Sequence, residues 1–136
     1  MKIKLILSLA IAFAFLAAPL SQTFAQDKSE KQVFKVVEDM PQFQGKDLKH
    51  FTKWVMTQVK YPKEALKDGI SGKVFASFIV SDDGTVKDVK IKKGEHQLLN
   101  DEVLRVIKSS PKWTPGKQKG KAVDVSMVVP VEFKLS

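Results

Sequence analysis

Three features of this 136-residue chain predict an α+β fold: a small three-stranded antiparallel sheet, two main helices packed on one face, and the last strand at the edge. First, Val123, Val125, Met127, Val129, Val131, Phe133 and Leu135 are apolar at every second position, the period of a half-buried strand. Second, Leu48, Phe51, Val55 and Val59 recur at helical spacing, and so do Leu99, Val103, Val106 and Ile107. Third, between those helices two alternating runs meet at Asp82-Asp83-Gly84, a tight-turn signal. With 43% hydrophobic and 28% charged residues, the composition is that of one globular domain.

Lys2 and Lys4 precede an apolar run from Leu5 to Leu20, and Thr23-Phe24-Ala25 ends with small residues suited to cleavage. Residues 1–25 therefore read as a signal peptide, its apolar run shorter than the ~20 residues that span a bilayer comfortably. The alternative is an uncleaved anchor that leaves the chain in the inner membrane, facing the periplasm. Cleavage after Ala25 lowers the net charge from +8 to +6, since Lys2 and Lys4 leave with the segment.

Residues 26–39 form a short leader, in which Val33-Phe34-Lys35-Val36-Val37 can add a strand. Asp47 stands as N-cap of the first helix, whose stripe carries Trp54 beside it. Pro62 opens a short second helix ended by Gly69. From Ile70, Val74, Ala76, Phe78 and Val80 share one face of a strand, and Phe75, Ser77 and Ile79 the other. The return strand, Thr85 to Lys92, breaks phase between Val86 and Val89, which predicts a bulge there. Asn100 is the expected cap of the last helix, which Pro111 stops, and Pro111 to Gly116 forms a rigid loop.

The long last strand, Ala122 to Leu135, contains Pro130. Backbone N–H and C=O groups alternate sides along a strand, and proline has no N–H, so the even-numbered groups should face an unpaired edge. Such an edge is a template for an added strand, which Pro130, Asp124 and Glu132 would keep from accidental pairing.

Much chemistry is excluded. The chain has no cysteine, hence no disulfide, thiol nucleophile or thiolate metal site. His50, on the exposed side of the first helix, and His96, in a loop, lack metal-ligand spacing. Ser109-Ser110 has no nearby base, and no nucleotide-binding fingerprint occurs. No enzyme, cofactor, metal or small-molecule substrate is expected. The lysines are scattered without an aromatic ladder, so nucleic acid is not expected either. Trp54 and Trp113 read as core anchors.

Met40-Pro41-Gln42-Phe43-Gln44-Gly45, Tyr61-Pro62 with Ala65, Gly69-Ile70-Ser71-Gly72, Asp83-Gly84, Pro111-Lys112-Trp113-Thr114-Pro115-Gly116 and Val129-Pro130-Val131-Glu132-Phe133 together resemble the C-terminal domain of TonB proteins. The resemblance covers about residues 40–135, so 40–136 is assigned as the domain. It implies a periplasmic module that pairs its last strand with the TonB box, a short peptide of outer-membrane TonB-dependent transporters. On this chain the binding segment would be Asp124, Val125, Ser126, Met127, Val128, Val129, Pro130, Val131 and Glu132, with Lys60 as a flanking contact. Lys46 departs from the glycine expected after Gly45. A full transducer also needs a membrane anchor and a long spacer, whereas residues 26–39 reach at most ~50 Å at about 3.5 Å each. Two roles follow: a binding module acting as transport accessory or transducer, or a self-associating module whose strand edge pairs with that of a second copy, without transporter binding.

Overall fold

The computed structural model describes residues 31–136; the predicted signal peptide, with the first residues of the leader, lies outside the described residues. Along the chain run β1 (Val33–Phe34), α1 (Leu48–Gln58), α2 (Lys63–Lys67), β2 (Gly72–Val80), β3 (Val86–Lys93), α3 (Gln97–Lys108), β4 (Gly116–Gln118) and β5 (Lys121–Phe133). The strands form one mixed sheet in the order β1-β5-β2-β3, with β4 also paired to β5.

The antiparallel trio β5-β2-β3 is the sheet the alternation predicts, and its register runs unbroken from Gly72 opposite Phe133 to Val80 opposite Val125. Two short strands add to it. β1 runs parallel to β5, with Val33 opposite Asp124 and Phe34 opposite Val125, and β4 forms a hairpin with Lys121–Val123. The expectation of a purely three-stranded antiparallel sheet is therefore corrected: β5 has neighbours on both sides, and only part of one edge is left. β4, of three residues, is too short for alternation to register, and the run at Val33 predicts a strand without naming its partner.

The core lies between the sheet and the helices. Phe51 and Val55 of α1, Leu99, Val103, Val106 and Ile107 of α3, and the inward residues of β2 and β5 are buried together. Phe43, Phe51, Trp54, Phe78 and Trp113 add a cluster of rings with centroids 4.8–5.7 Å apart, joining the segment before α1, α1 itself, β2 and the 111–116 loop. Both tryptophans are thus core residues, Trp113 fully so.

Local chemistry sets the boundaries. Asp47 caps α1, its carboxylate accepting the His50 amide. Gly69 ends α2 at φ +67°. The N-cap of α3 is His96, whose Nδ1 accepts the Leu98 amide at 3.0 Å; Asn100, the expected cap, lies inside the helix. His50 is half-buried rather than exposed, its ring against Phe43 and in hydrogen-bond contact with Gln44. The turn into α1 closes through reciprocal Phe43–Lys46 backbone bonds, with Gln44 and Gly45 at positive φ. Lys46 lies past those two positions, so no second glycine is needed there.

Candidate peptide-binding edge

On β5 the odd-numbered side chains Val125, Met127, Val129, Val131 and Phe133 point into the core. Pro130 stands opposite Phe75 within the regular ladder to β2. Having no N–H to give, it occupies a pair whose backbone groups face away from β2, and Ser126, Val128 and Glu132 share that phase. Their N–H and C=O groups, with the Pro130 carbonyl, look toward the side of β5 opposite β2. β1 covers that side only at Asp124 and Val125. From Ser126 to Phe133 no strand among the described residues pairs with it.

The nine segment residues predicted for binding therefore separate into three groups. Asp124 and Val125 already have β1 beside them. Met127, Val129 and Val131 are side-chain core, and their backbone serves the β2 ladder. Ser126, Val128, Pro130 and Glu132 are the positions where an added strand would meet the main chain. Asp124 has a structural assignment as well: its carboxylate is 1% exposed, accepts the Asp82 amide at 2.8 Å and pairs with Lys87 Nζ at 3.0 Å. It anchors the β2–β3 turn to β5.

Two shallow grooves border the open stretch between α1 and β5. Met56, Val59, Tyr61, Glu132, Phe133 and Lys134 line one of about 420 Å³. Thr52, Met56, Lys73, Pro130 and Glu132 line another of about 230 Å³. Side chains of an added strand would alternate between the groove side and the opposite side. Sequence reasoning missed Thr52, Met56 and Tyr61; the available signal was Met56, a large apolar residue off the buried stripe of α1 and 42% exposed.

Lys60 lies next to the groove residues Val59 and Tyr61. Its amide donates to Glu102 Oε2 at 2.7 Å, and Arg105 forks onto the same carboxylate at 2.7 and 2.9 Å. The Arg105 hydrogen bonds, followed by the Lys60 amide, hold the Glu102 carboxyl below its usual range. The Tyr61 hydroxyl donates to the Ile70 carbonyl, and its ring meets Phe133 edge-on at 5.4 Å. The rim of the groove is thereby fixed to α3 and to the start of β2. Among the described residues no group of three or more His, Asp or Glu side chains is placed to hold a metal.

Residues 57–135 match the family model described as "Gram-negative bacterial TonB protein C-terminal". The match includes all of β2 to β5, and leaves the Met40–Gly45 motif outside it. The chain is 32% identical over 82 residues to a Protein TonB of Helicobacter pylori, across 60% of this chain and 27% of that protein. It thus spans about a quarter of the length of the curated relatives it matches. Two solution structures of the Helicobacter pylori TonB C-terminal domain are similar at 29% identity. One, at TM-score 0.54, covers 65% of this chain and 80% of its own. The other, at TM-score 0.50, covers 64% and 91%. This chain belongs to the TonB C-terminal domain family, whose members are not enzymes.

Proposed function

We propose that the protein is a periplasm-facing TonB-type module that takes up a TonB-box peptide of an outer-membrane TonB-dependent transporter as a strand added to β5. The observation that carries this reading is the open stretch from Ser126 to Glu132, which no strand among the described residues pairs on one side and which the Met56–Tyr61 groove borders. Main-chain pairing supplies affinity, and the grooves supply selectivity for alternate side chains of the peptide. Lys60, between the groove residues Val59 and Tyr61, would offer its ammonium to an acidic group flanking the peptide. The family match supports the transporter as partner.

The test is a titration of isotope-labelled residues 32–136 with TonB-box peptides from transporters of the same cell. This span forms a compact unit and holds the whole described core. Saturable amide shifts along Ser126–Glu132 and around Met56–Tyr61 are expected. Absence of shifts at millimolar peptide would remove the proposal, and a stable dimer paired through the same edge would replace it with self-association.

A further inference from the structure

The register of β3 gathers lysines in an unusual way. Lys93 stands opposite Phe75, Lys90 opposite Ser77 and Lys87 opposite Ile79, while Ile91 and Val86 stand opposite the buried Ala76 and Val80. In a regular strand, residues three apart point to opposite faces. Here the register shifts twice, between Phe75 and Ala76 and between Ser77 and Ile79, the second with Asp88 at φ +50°. Each shift inserts one residue, so lysines spaced by three all reach the face of the sheet turned away from the core.

That face continues across β2 and β5. Its rows read Lys93, Phe75, Pro130, then Lys90, Ser77, Val128, then Lys87, Ile79, Ser126, with Lys73 opposite Glu132 at the end. Lys87 is tied to Asp124, and Glu132 lies 3.9 Å from Lys134. Lys73, Lys90 and Lys93 are exposed and carry no ion pair among the described residues. The acidic residues near these rows are Asp88, at the bulge, Glu132, opposite Lys73, and Glu95, whose side chain lies against Gly72 beside Lys73. Between the cations lie Phe75 and Ile79, half-exposed, and Val128, 43% exposed. An apolar strip rimmed by unpaired ammonium groups is complementary to a surface that offers acyl chains beneath phosphate charges. A dissolved polyanion would match the lysines but leave the apolar strip without a partner.

We propose that this outer face of the β5-β2-β3 sheet docks on an anionic phospholipid leaflet, with Lys90 and Lys93 at the headgroups and Val128, Phe75 and Ile79 at the interface. The open edge of β5 then lies in the plane of the leaflet rather than beneath the sheet, so docking and strand addition are compatible. The inference rests on the sheet face and stands whether or not the edge takes a peptide.

The experiment uses residues 32–136 with vesicles of phosphatidylcholine alone or containing about 30% phosphatidylglycerol, compared by co-sedimentation at low and physiological salt. Binding to the anionic vesicles, weakened by salt, is expected, with amide broadening at Lys90, Lys93 and Val128. Lys90→Gln with Lys93→Gln should lower the affinity by about 25-fold, at about fivefold per lysine. Lys49→Gln with Lys53→Gln, exposed on α1 across the core, removes the same charge and should change it less than twofold. Equal loss from the two pairs, no binding to anionic vesicles at low salt, or binding to heparin without binding to vesicles would overturn the proposal. Unchanged amide spectra of the free variants separate loss of docking from loss of fold.

Discussion

Val128 and Pro130 bring the chemistry of the edge down to single atoms. Both share the phase that faces away from β2, so a proline at 128 would remove a donor from the open edge while sparing the β2 ladder. Val128→Pro should leave thermal stability within about 1 kcal/mol of the parent, yet weaken peptide binding about tenfold or more, since one main-chain bond and its neighbour's approach are lost. Equal affinity by titration would show that the peptide does not use this edge. Asp124 is the contrasting residue. With its carboxylate buried against the Asp82 amide and Lys87, Asp124→Ala should cost about 2 kcal/mol in a denaturant midpoint, by stranding the groups it satisfies. Gly84 is constrained twice, by φ +88° and by the Trp113 carbonyl 2.1 Å from where a Cβ would stand. Gly84→Ala should cost about 2–3 kcal/mol by the same measurement. Gly84, Pro130 and the capping Asp47 were all legible in the sequence, because each acts through its own backbone or that of close neighbours. The pairing of Asp124 with Lys87 was not, since it depends on how β5 meets the β2–β3 turn.

At the scale of elements, α1, α3 and the trio β5-β2-β3 follow from periodicity, and the break between Val86 and Val89 announced the second bulge of β3. The other bulge, at Lys92, leaves no apolar misstep to read, because only Lys92 and Lys93 follow Ile91 before Gly94. β4 was hidden in three residues, and β1 showed only as a strand without a partner. The cap of α3 shows how two local signals compete: His96 and Asn100 can each accept an amide, and the choice falls on the residue that fits the extended backbone before Gln97. Joints between elements carry the acid sensitivity. Glu102 ties the end of α1 to α3, and Asp83 ties the β2–β3 turn through Ser81 and Thr85. Hydrogen bonds from Arg105 first, for Glu102, and from Ser81 first, for Asp83, hold both carboxyls below their unfolded values. A depressed carboxyl stabilises the fold above its unfolded pKa, and that contribution is lost as pH falls through the folded one. Stability should therefore be level from pH 7 to about 5 and fall below about pH 4. In Glu102→Gln the fall should be shallower, with the amides of Lys60 and Tyr61 exchanging faster at neutral pH.

For the whole molecule, the length of the open edge is set far from the edge itself. Trp113 is buried among Phe43, Phe51 and Phe78, and its amide donates to the Gly84 carbonyl at 2.8 Å. That anchor delivers Gly116–Gln118 to β5, and the same loop clasps the leader: Thr114 pairs with Gln42, Lys117 pairs with Asp39, and the Glu38 carboxylate accepts the Lys119 amide. The leader in turn holds β1 against Asp124 and Val125. One buried ring thus joins the two ends of the domain and fixes where the unpaired stretch begins. Trp113→Leu should cost about 2–4 kcal/mol, a large share of the ~5–15 kcal/mol that holds a domain of this size. The loss should be uneven. Amides of Asp39, Gln42, Thr114 and Lys117 should exchange much faster with solvent, while those of the β2–β5 ladder, held by Val74, Ala76, Val129 and Val131, slow the exchange nearly as in the parent. With β1 released, the peptide footprint should lengthen from Ser126 back to Asp124. Uniform acceleration across the sheet would instead mean that the domain opens only as a whole, and that the leader and the edge are not separately adjustable.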